Sequence, residues 1–310
     1  MKVSRHQWLA HGASVLVISL LSTGPAFGQA AGAGQSGQKP AQPAQQGQTG
    51  QASSAPVVTP AENQAWQDLS AEATAGLDPD KVITLAQNYE KTYPASPMLT
   101  EVYLYEASAQ MSKNNFGKAV EAGEQSLKLN GDNLRSLLFV SGLLPQPQVM
   151  QLQASADGKL KKLDEAESDA KHGLDMIAQG KIPHLPNETD DAYKKRTNQI
   201  SSGPHAALGM VHLQRSTMGL GSTMDPDELG KAAQEFKQSV DLADPQQPGI
   251  SESYYRLGEI YKHQNKIDDA IAAFSKASEL SQGTGLQTYA DKQVEELKKA
   301  QTQAKPAGAH

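Results

Sequence analysis

Few side chains in this 310-residue chain could do chemistry, and their spacing decides which chemistry is open to them. Cysteine is absent, which removes thiolate nucleophiles, thiolate metal sites, disulfides and a lipid-anchored N-terminal cysteine. His205 and His212 stand seven residues apart, a spacing that can put both on one helix face, but no HExxH and no neighbouring acid completes a ligand set. His172, His184, His263 and His310 are isolated. Asp190-Asp191 and Asp268-Asp269 are adjacent pairs, which point apart on a helix and read as solvated faces rather than as an acid–base dyad. No GxSxG, Walker loop or dinucleotide-binding glycine series occurs, and Gly219-Leu220-Gly221-Ser222 lacks the strand and the lysine-serine pair of a phosphate cradle. The basic clusters are short and mixed with acids: Lys159, Lys161 and Lys162 lie between Asp157 and Asp164, and Lys194-Lys195-Arg196 follows Asp190-Asp191. Asn187-Glu188-Thr189 fits a glycosylation sequon by chance. With 28 basic against 34 acidic residues the net charge is −6, so phosphates are not neutralised in bulk and nucleic acid is excluded as the main partner. These residues predict no metal, no cofactor and no catalytic centre.

The elements that carry these side chains begin after an export signal. Lys2 and Arg5 make a positive start, Ala13–Leu21 is an apolar run broken only by serine, and Ala26-Phe27-Gly28 offers small residues to a signal peptidase, with cleavage expected after Gly28. The run is too short for a bilayer, which needs about 20 apolar residues, so no transmembrane span is expected after cleavage. Processing takes the net charge to −8 and makes the product periplasmic or secreted. Residues 29–60 are a Gln/Gly/Ala/Pro-rich linker, extended in patches by Pro40, Pro43 and Pro56, with Lys39 as its one charge. It holds too little apolar surface to offset the entropy of ordering.

From Ala61 onward, apolar residues recur at three- and four-residue spacing, which predicts helices. Asp78-Pro79-Asp80 and Asp225-Pro226-Asp227-Glu228 each set a capping aspartate before a proline at the first helical position. In Ser251–Thr284 the first helix carries Tyr254, Leu257, Gly258 and Tyr261, and the second carries Ala270, Phe274 and Ala277. This unit resembles the tetratricopeptide repeat, a hairpin of two helices over about 34 residues. Gly209, Ala232 and Phe236 repeat the register upstream, with eleven extra residues near the turn, and Trp66 and Leu69 open the first unit. Between them Tyr103, Ala107, Ala119, Ser126 and Leu127 mark a unit in which Gln110 and Gly123 replace bulky residues, and Pro145 and Pro147 break the next. The resemblance implies an all-α fold, an α-solenoid of hairpins at 63–96, 100–133, 134–179 (interrupted), 202–246 (with an insertion) and 251–284. A capping helix at 285–303 and a flexible tail at 304–310 complete it. Glu188–Arg196 is expected to form a short inserted helix. Thr92–Pro97 resembles the Tyr-Pro-x-Ser-Pro junction of periplasmic repeat proteins, outer-membrane assembly lipoproteins and Tol-Pal accessory proteins among them.

In that family the first helices line a concave groove for a peptide or a partner's helix. The resemblance places Tyr255, Glu259, Lys262 and His263 on the groove side of the best unit, with Ala206, Met210 and Leu213 and then Leu104, Ser108 and Met111 corresponding upstream. Glu259 departs from the lysine/asparagine clamp that grips a C-terminal carboxylate. The expectation is a non-enzymatic adaptor for another protein or peptide of the bacterial cell envelope. The competing readings are a permanent subunit of an envelope assembly complex and an envelope-processing enzyme with an unrecognised site.

Overall fold

The computed structural model describes residues 58–76, 78–218 and 223–304. The export signal, nearly all of the linker and the tail beyond residue 304 lie outside the described residues, as does Gly219–Ser222 of the upstream insertion. Among the described residues there are twelve α-helices and no strand. They are α1 (Pro60–Ala75), α2 (Pro79–Thr92), α3 (Leu99–Ser112), α4 (Phe116–Leu129), α5 (Leu134–Leu143), α6 (Pro147–Leu152), α7 (Ala156–Ala178), α8 (Asp190–Ser216), α9 (Pro226–Leu242), α10 (Ile250–His263), α11 (Ile267–Leu280) and α12 (Gly285–Ala304).

The helices pack as antiparallel pairs: α1 with α2, α3 with α4, α5 with α7, α8 with α9, and α10 with α11. Each second helix also packs on the first helix of the following pair, and α12 closes the series against α11. The result is a solenoid whose contacts run between neighbours. The side chain at each start explains why the helices begin where they do. Thr59, Asp78, Asn133, Ser155, Thr189 and Asp225 each accept a hydrogen bond from a backbone N–H of the first turn, satisfying donors the helix itself leaves open. The tight turns of the second and fifth hairpins are copies. Asn114 and Asn265 take φ of 59° and 58°, and the next amide donates back to the carbonyl of Gln110 or Tyr261. Asparagine tolerates that left-handed conformation better than most side chains.

Two crossings hold the hairpins at close range. A Cβ built on Gly209 would lie 2.8 Å from Phe236, and one on Gly258 would lie 2.8 Å from Phe274. Both rings are fully buried, as are Ala232, Ala270 and Ala277 beside them. Leu69 and Leu257 are buried, while Trp66, Tyr254 and Tyr261 are half-buried at the flanks. The second hairpin has no such ring of its own: Gly123 sits where the phenylalanine would be, and Phe139 and Val140 from α5 enter the space instead. In the third hairpin the small residue is on the other helix, with Gly173 of α7 against Leu134 and Leu138 of α5.

One expectation is revised by the packing. Residues 188–196 do not form a separate short helix: from Asp190 they are the opening turns of α8, which runs on through Pro204 to Ser216. A proline inside a helix costs about 3 kcal/mol. Here Pro204 is buried and the helix holds on both sides of it. The turns before Pro204 are fastened by Tyr193, whose ring stacks on His184 at 3.8 Å and whose hydroxyl donates to the Ile182 carbonyl, and by Arg196, which donates twice to Glu188 at 2.7 Å. The break expected at Pro145 and Pro147 is present: α5 ends at Leu143 and Pro147 starts the separate α6, which buries Val149 and Met150 in the core of the second and third hairpins.

The crossings make a sharp prediction. Gly258→Leu and Gly209→Leu are each expected to lower stability by about 1–3 kcal/mol through overpacking against a ring that cannot move. Gly230→Ala, where nothing lies within 4 Å of the new Cβ, should raise it by about 0.5–1 kcal/mol. Urea unfolding of the three variants tests this, and equal effects at the three glycines would refute the crossing geometry.

Candidate protein-binding groove

The first helices α1, α3, α5, α8 and α10 succeed one another along one side of the solenoid, and the residues expected to bind a partner lie on three of them. The structure divides those residues. Leu104 and Met210 are interior, with exposures of 0% and 2%, in cores shared by neighbouring hairpins. Ala206 and Leu213 are buried with Met210. Tyr255 is also buried, its ring edge-on to Phe274 at 5.2 Å and packed with Ala290 and Leu297 of α12. Glu259 is buried beside Arg256, whose Nη1 donates to it at 2.9 Å. These positions are therefore packing positions, a correction to the groove stripe. The reason is that Leu104 and Met210 meet core residues of neighbouring hairpins and Tyr255 meets α12. Ser108 and Met111 are half-buried, and Lys262 and His263 are exposed, Lys262 donating to Gln293 of α12 at 2.6 Å.

Two rows that the sequence pattern did not assemble appear instead, although Glu259 and Trp66 were named singly. On α10, Glu252, Arg256 and Glu259 form one line at i, i+4 and i+7, with Arg256 only 1% exposed and bonded to both acids. Burial pushes the Glu252 carboxyl up to about 7, against the pull of Arg256. At the other end, Trp66 of α1 lies 5.7 Å from Tyr105 of α3, and the Arg135 guanidinium of α5 lies over the same tyrosine at 5.8 Å. All three are half-buried, so the row keeps part of its surface in water. Arg135 also pairs with Glu101, whose other oxygen accepts from Asn133 at 3.0 Å. The signal for this row was present as one aromatic or arginine on each of three successive first helices.

The residues weighed for chemistry are spread apart. Among the described residues no group of three or more histidines and acids could hold a metal ion. His205 and His212 do share a face of α8, and each meets a carboxylate of α9: Glu235 at 2.7 Å and Glu228 at 2.8 Å. His172 pairs with Asp132 at 2.7 Å. Asp190-Asp191 and Asp268-Asp269 stand exposed in the first turns of α8 and α11, where acids suit the helix dipole. Lys162 bridges Glu124 and Glu165, and Lys195 lies 3.6 Å from Asp244.

Residues 251–283, the fifth hairpin, match the tetratricopeptide repeat family model. No curated protein matches the sequence. The fold is similar to a thermophilic TPR protein of Thermus thermophilus, with a TM-score of 0.50 at 18% identity over 75% of this chain and 98% of that one. It is also similar to BtubC of P. vanneervenii, with a TM-score of 0.44 at 16% identity over 80% of this chain and 85% of that one. The likeness to the Thermus protein shows the fold, an all-helical stack of hairpins. No helix among the described residues is long and apolar enough to cross a membrane.

Three acids, Glu252 buried and Asp169 and Glu167 half-buried, predict a pH profile. Burial raises Asp169 to about 6 and Glu252 to about 7. Both folded values exceed the unfolded ones, so the folded chain binds protons more tightly and gains stability as pH falls from about 8 toward 5. Glu167 behaves oppositely: burial opposes its charge, but hydrogen bonds from Lys171 and Arg215 hold it at about 2, and its contribution is lost below the ordinary carboxylate range. Stability should therefore peak near pH 5, at the lower edge of the usual range. In Glu252→Gln the rise from pH 8 should shrink. Thermal melting across pH checks both, and stability that climbs from pH 5 to 8 would contradict the burial of these groups.

Proposed function

We propose that the protein is a non-enzymatic scaffold of the bacterial cell envelope, exported by its N-terminal segment, that grips a peptide or partner helix along its row of first helices. The fold supports the coarse part of this reading, since stacked helical hairpins expose long surfaces and the matched repeat is one whose members bind other proteins. The observation that carries the site is the Trp66–Tyr105–Arg135 row, partly open on three successive hairpins. Tryptophan, tyrosine and arginine are the side chains that most often dominate binding energy at an interface. At the far end of the same side, Lys262 and His263 remain exposed and add a polar rim. The signal segment and the resemblance at Thr92–Pro97 support the periplasm as the place of action.

The reading is tested by crosslinking in cells followed by purification. Tyr105→Ala combined with Lys262→Glu should reduce capture of the partner by about thirtyfold or more, the loss that follows from one hot-spot aromatic, while circular dichroism is unchanged. Full capture by this variant would remove the groove from consideration, and recovery of the protein from cytoplasm alone would remove the envelope.

A further inference from the structure

We propose that Asn130, in the turn between the second and third hairpins, is a site of spontaneous covalent modification. Its side-chain amide is attacked by the Gly131 backbone nitrogen and converted, through a cyclic imide and with no enzyme, to aspartate and isoaspartate. The inference goes beyond the scaffold reading and does not depend on it.

The chain holds nine asparagines, and Asn130 alone precedes a glycine. Attack on the amide needs the next nitrogen to be accessible, free of another hydrogen bond and unshielded by a side chain. Asn63, Asn88 and Asn198 lie inside helices, where the following amides serve the helical ladder. After Asn114, Asn187 and Asn265 the following amide already donates, to the carbonyls of Gln110, Leu185 and Tyr261. Asn115 and Asn133 precede Phe116 and Leu134, whose side chains crowd the nitrogen. Gly131 meets none of these obstacles. Asn130 and Gly131 are both exposed, and the Gly131 N–H donates to no acceptor among the described hydrogen bonds.

The side chain under attack is prepared as well. Asn130 stands just past the end of α4 with extended backbone, φ −146° and ψ 95°, outside the helical geometry that protects the other sites. Its Oδ1 accepts from the Asp132 backbone N–H at 3.1 Å, a bond that asparagine makes readily two residues on. That donor faces the oxygen on which negative charge develops when a nitrogen adds to Cγ. The Asp132 carboxylate is bonded to His172 of α7 at 2.7 Å, which holds the turn in place.

The steps balance with water as the only co-reactant. The Gly131 nitrogen gives up its proton to solvent base and bonds to Cγ of Asn130. The Cγ–Nδ2 bond breaks, and ammonia leaves with a proton from solvent, closing the imide. Water then adds to one of the two imide carbonyls and opens its bond to nitrogen. Opening at Cγ gives aspartate. Opening at the backbone carbonyl gives isoaspartate, whose main chain runs through Cβ and Cγ and is longer by one carbon. The Asn130 carbonyl accepts from the Asn133 N–H at 3.1 Å, and Asn133 caps α5 through the Ser136 amide. The lengthened main chain therefore falls where the third hairpin is joined to the second.

The test ages the full folded chain in mildly alkaline buffer at body temperature and follows each asparagine by peptide mass spectrometry. Isoaspartate is read by labelling with an isoaspartyl methyltransferase. Asn130 is expected to convert about tenfold faster than any other asparagine, a barrier lower by about 1.4 kcal/mol. Both aspartate and isoaspartate should appear there. Gly131→Ala is the decisive variant. A Cβ at that position meets only the Leu127 carbonyl oxygen, at 3.8 Å, and φ there is not positive, so the variant should keep its circular dichroism. Its methyl group beside the attacking nitrogen should slow conversion at Asn130 by about tenfold or more, since small losses of near-attack geometry cost up to about a hundredfold. Equal rates in the two chains, or faster conversion at another asparagine, would overturn the proposal. Aspartate without isoaspartate would mean direct hydrolysis by water and would overturn it too. Partner capture through Tyr105 is read separately, so failure here leaves the scaffold reading where it stood.

Discussion

A helix can take a phenylalanine ring of its neighbour directly onto its backbone only where it presents no Cβ, and the best-formed hairpins here depend on that constraint. At Gly209 and Gly258 the facing side chain is a phenylalanine with no exposed surface, so glycine and ring define a single geometry from which neither can depart. Small buried residues follow from it: alanines at 232, 270 and 277 continue the close approach around the crossing. A helix of 14 residues such as α10 is marginal in water by itself. Packing across the crossing and against the next pair is what holds it, which is why the apolar surface is divided among several cores rather than gathered in one.

That dependence accounts for what could be read in the sequence. The fifth hairpin was legible because its crossing residues are local: Gly258 and Phe274 fall within one unit of fixed spacing. The helix starts at Asp78 and Asp225 were legible for the same reason, each cap needing only the following three residues. The second hairpin was harder, because Gly123 is complemented by Phe139 from the neighbouring pair, and no pattern within the unit reveals it. The histidines of α8 looked isolated since their carboxylates stand 30 and 16 residues away, on the antiparallel helix. The groove stripe failed for a related reason. Helical spacing orders residues around an axis, but whether the side facing away from the partner helix stays wet depends on how closely the next elements approach, as α12 does at Tyr255.

Buried polarity is placed with equal economy. Arg256 lies buried between Glu252 and Glu259, and burying such charges rarely adds stability over a well-packed apolar equivalent. Both acids lie on α10 itself, so the guanidinium ties successive turns of one helix together, and the setting of α10 against its partner is fixed at Gly258. The serines at helix junctions act on a smaller scale. Ser126 bonds Ser136 at 2.6 Å and Ser202 bonds Ser239 at 3.2 Å, each joining two helices at a buried point where a larger side chain would push them apart.

The departures from a regular array fall where this geometry tolerates them. Extra residues enter between α5 and α7 and between α8 and α9, at the turns and not within the crossings. Lengthening a loop costs little, about 0.6 kcal/mol for each doubling, whereas a side chain inserted at Gly209 would have to displace a buried ring. The two insertions are nevertheless tied into the stack. Gln214 near the end of α8 donates to the Pro145 carbonyl at 3.0 Å, and the Asp225 amide returns to Ser216 at 2.9 Å, closing the second loop at its base. Met218 at the start of that loop packs on the same core as Val149 and Met150 of the first. The irregular segments thus join the third and fourth hairpins along one edge. The row of Trp66, Tyr105 and Arg135 stays partly open at the N-terminal end, which these insertions do not reach.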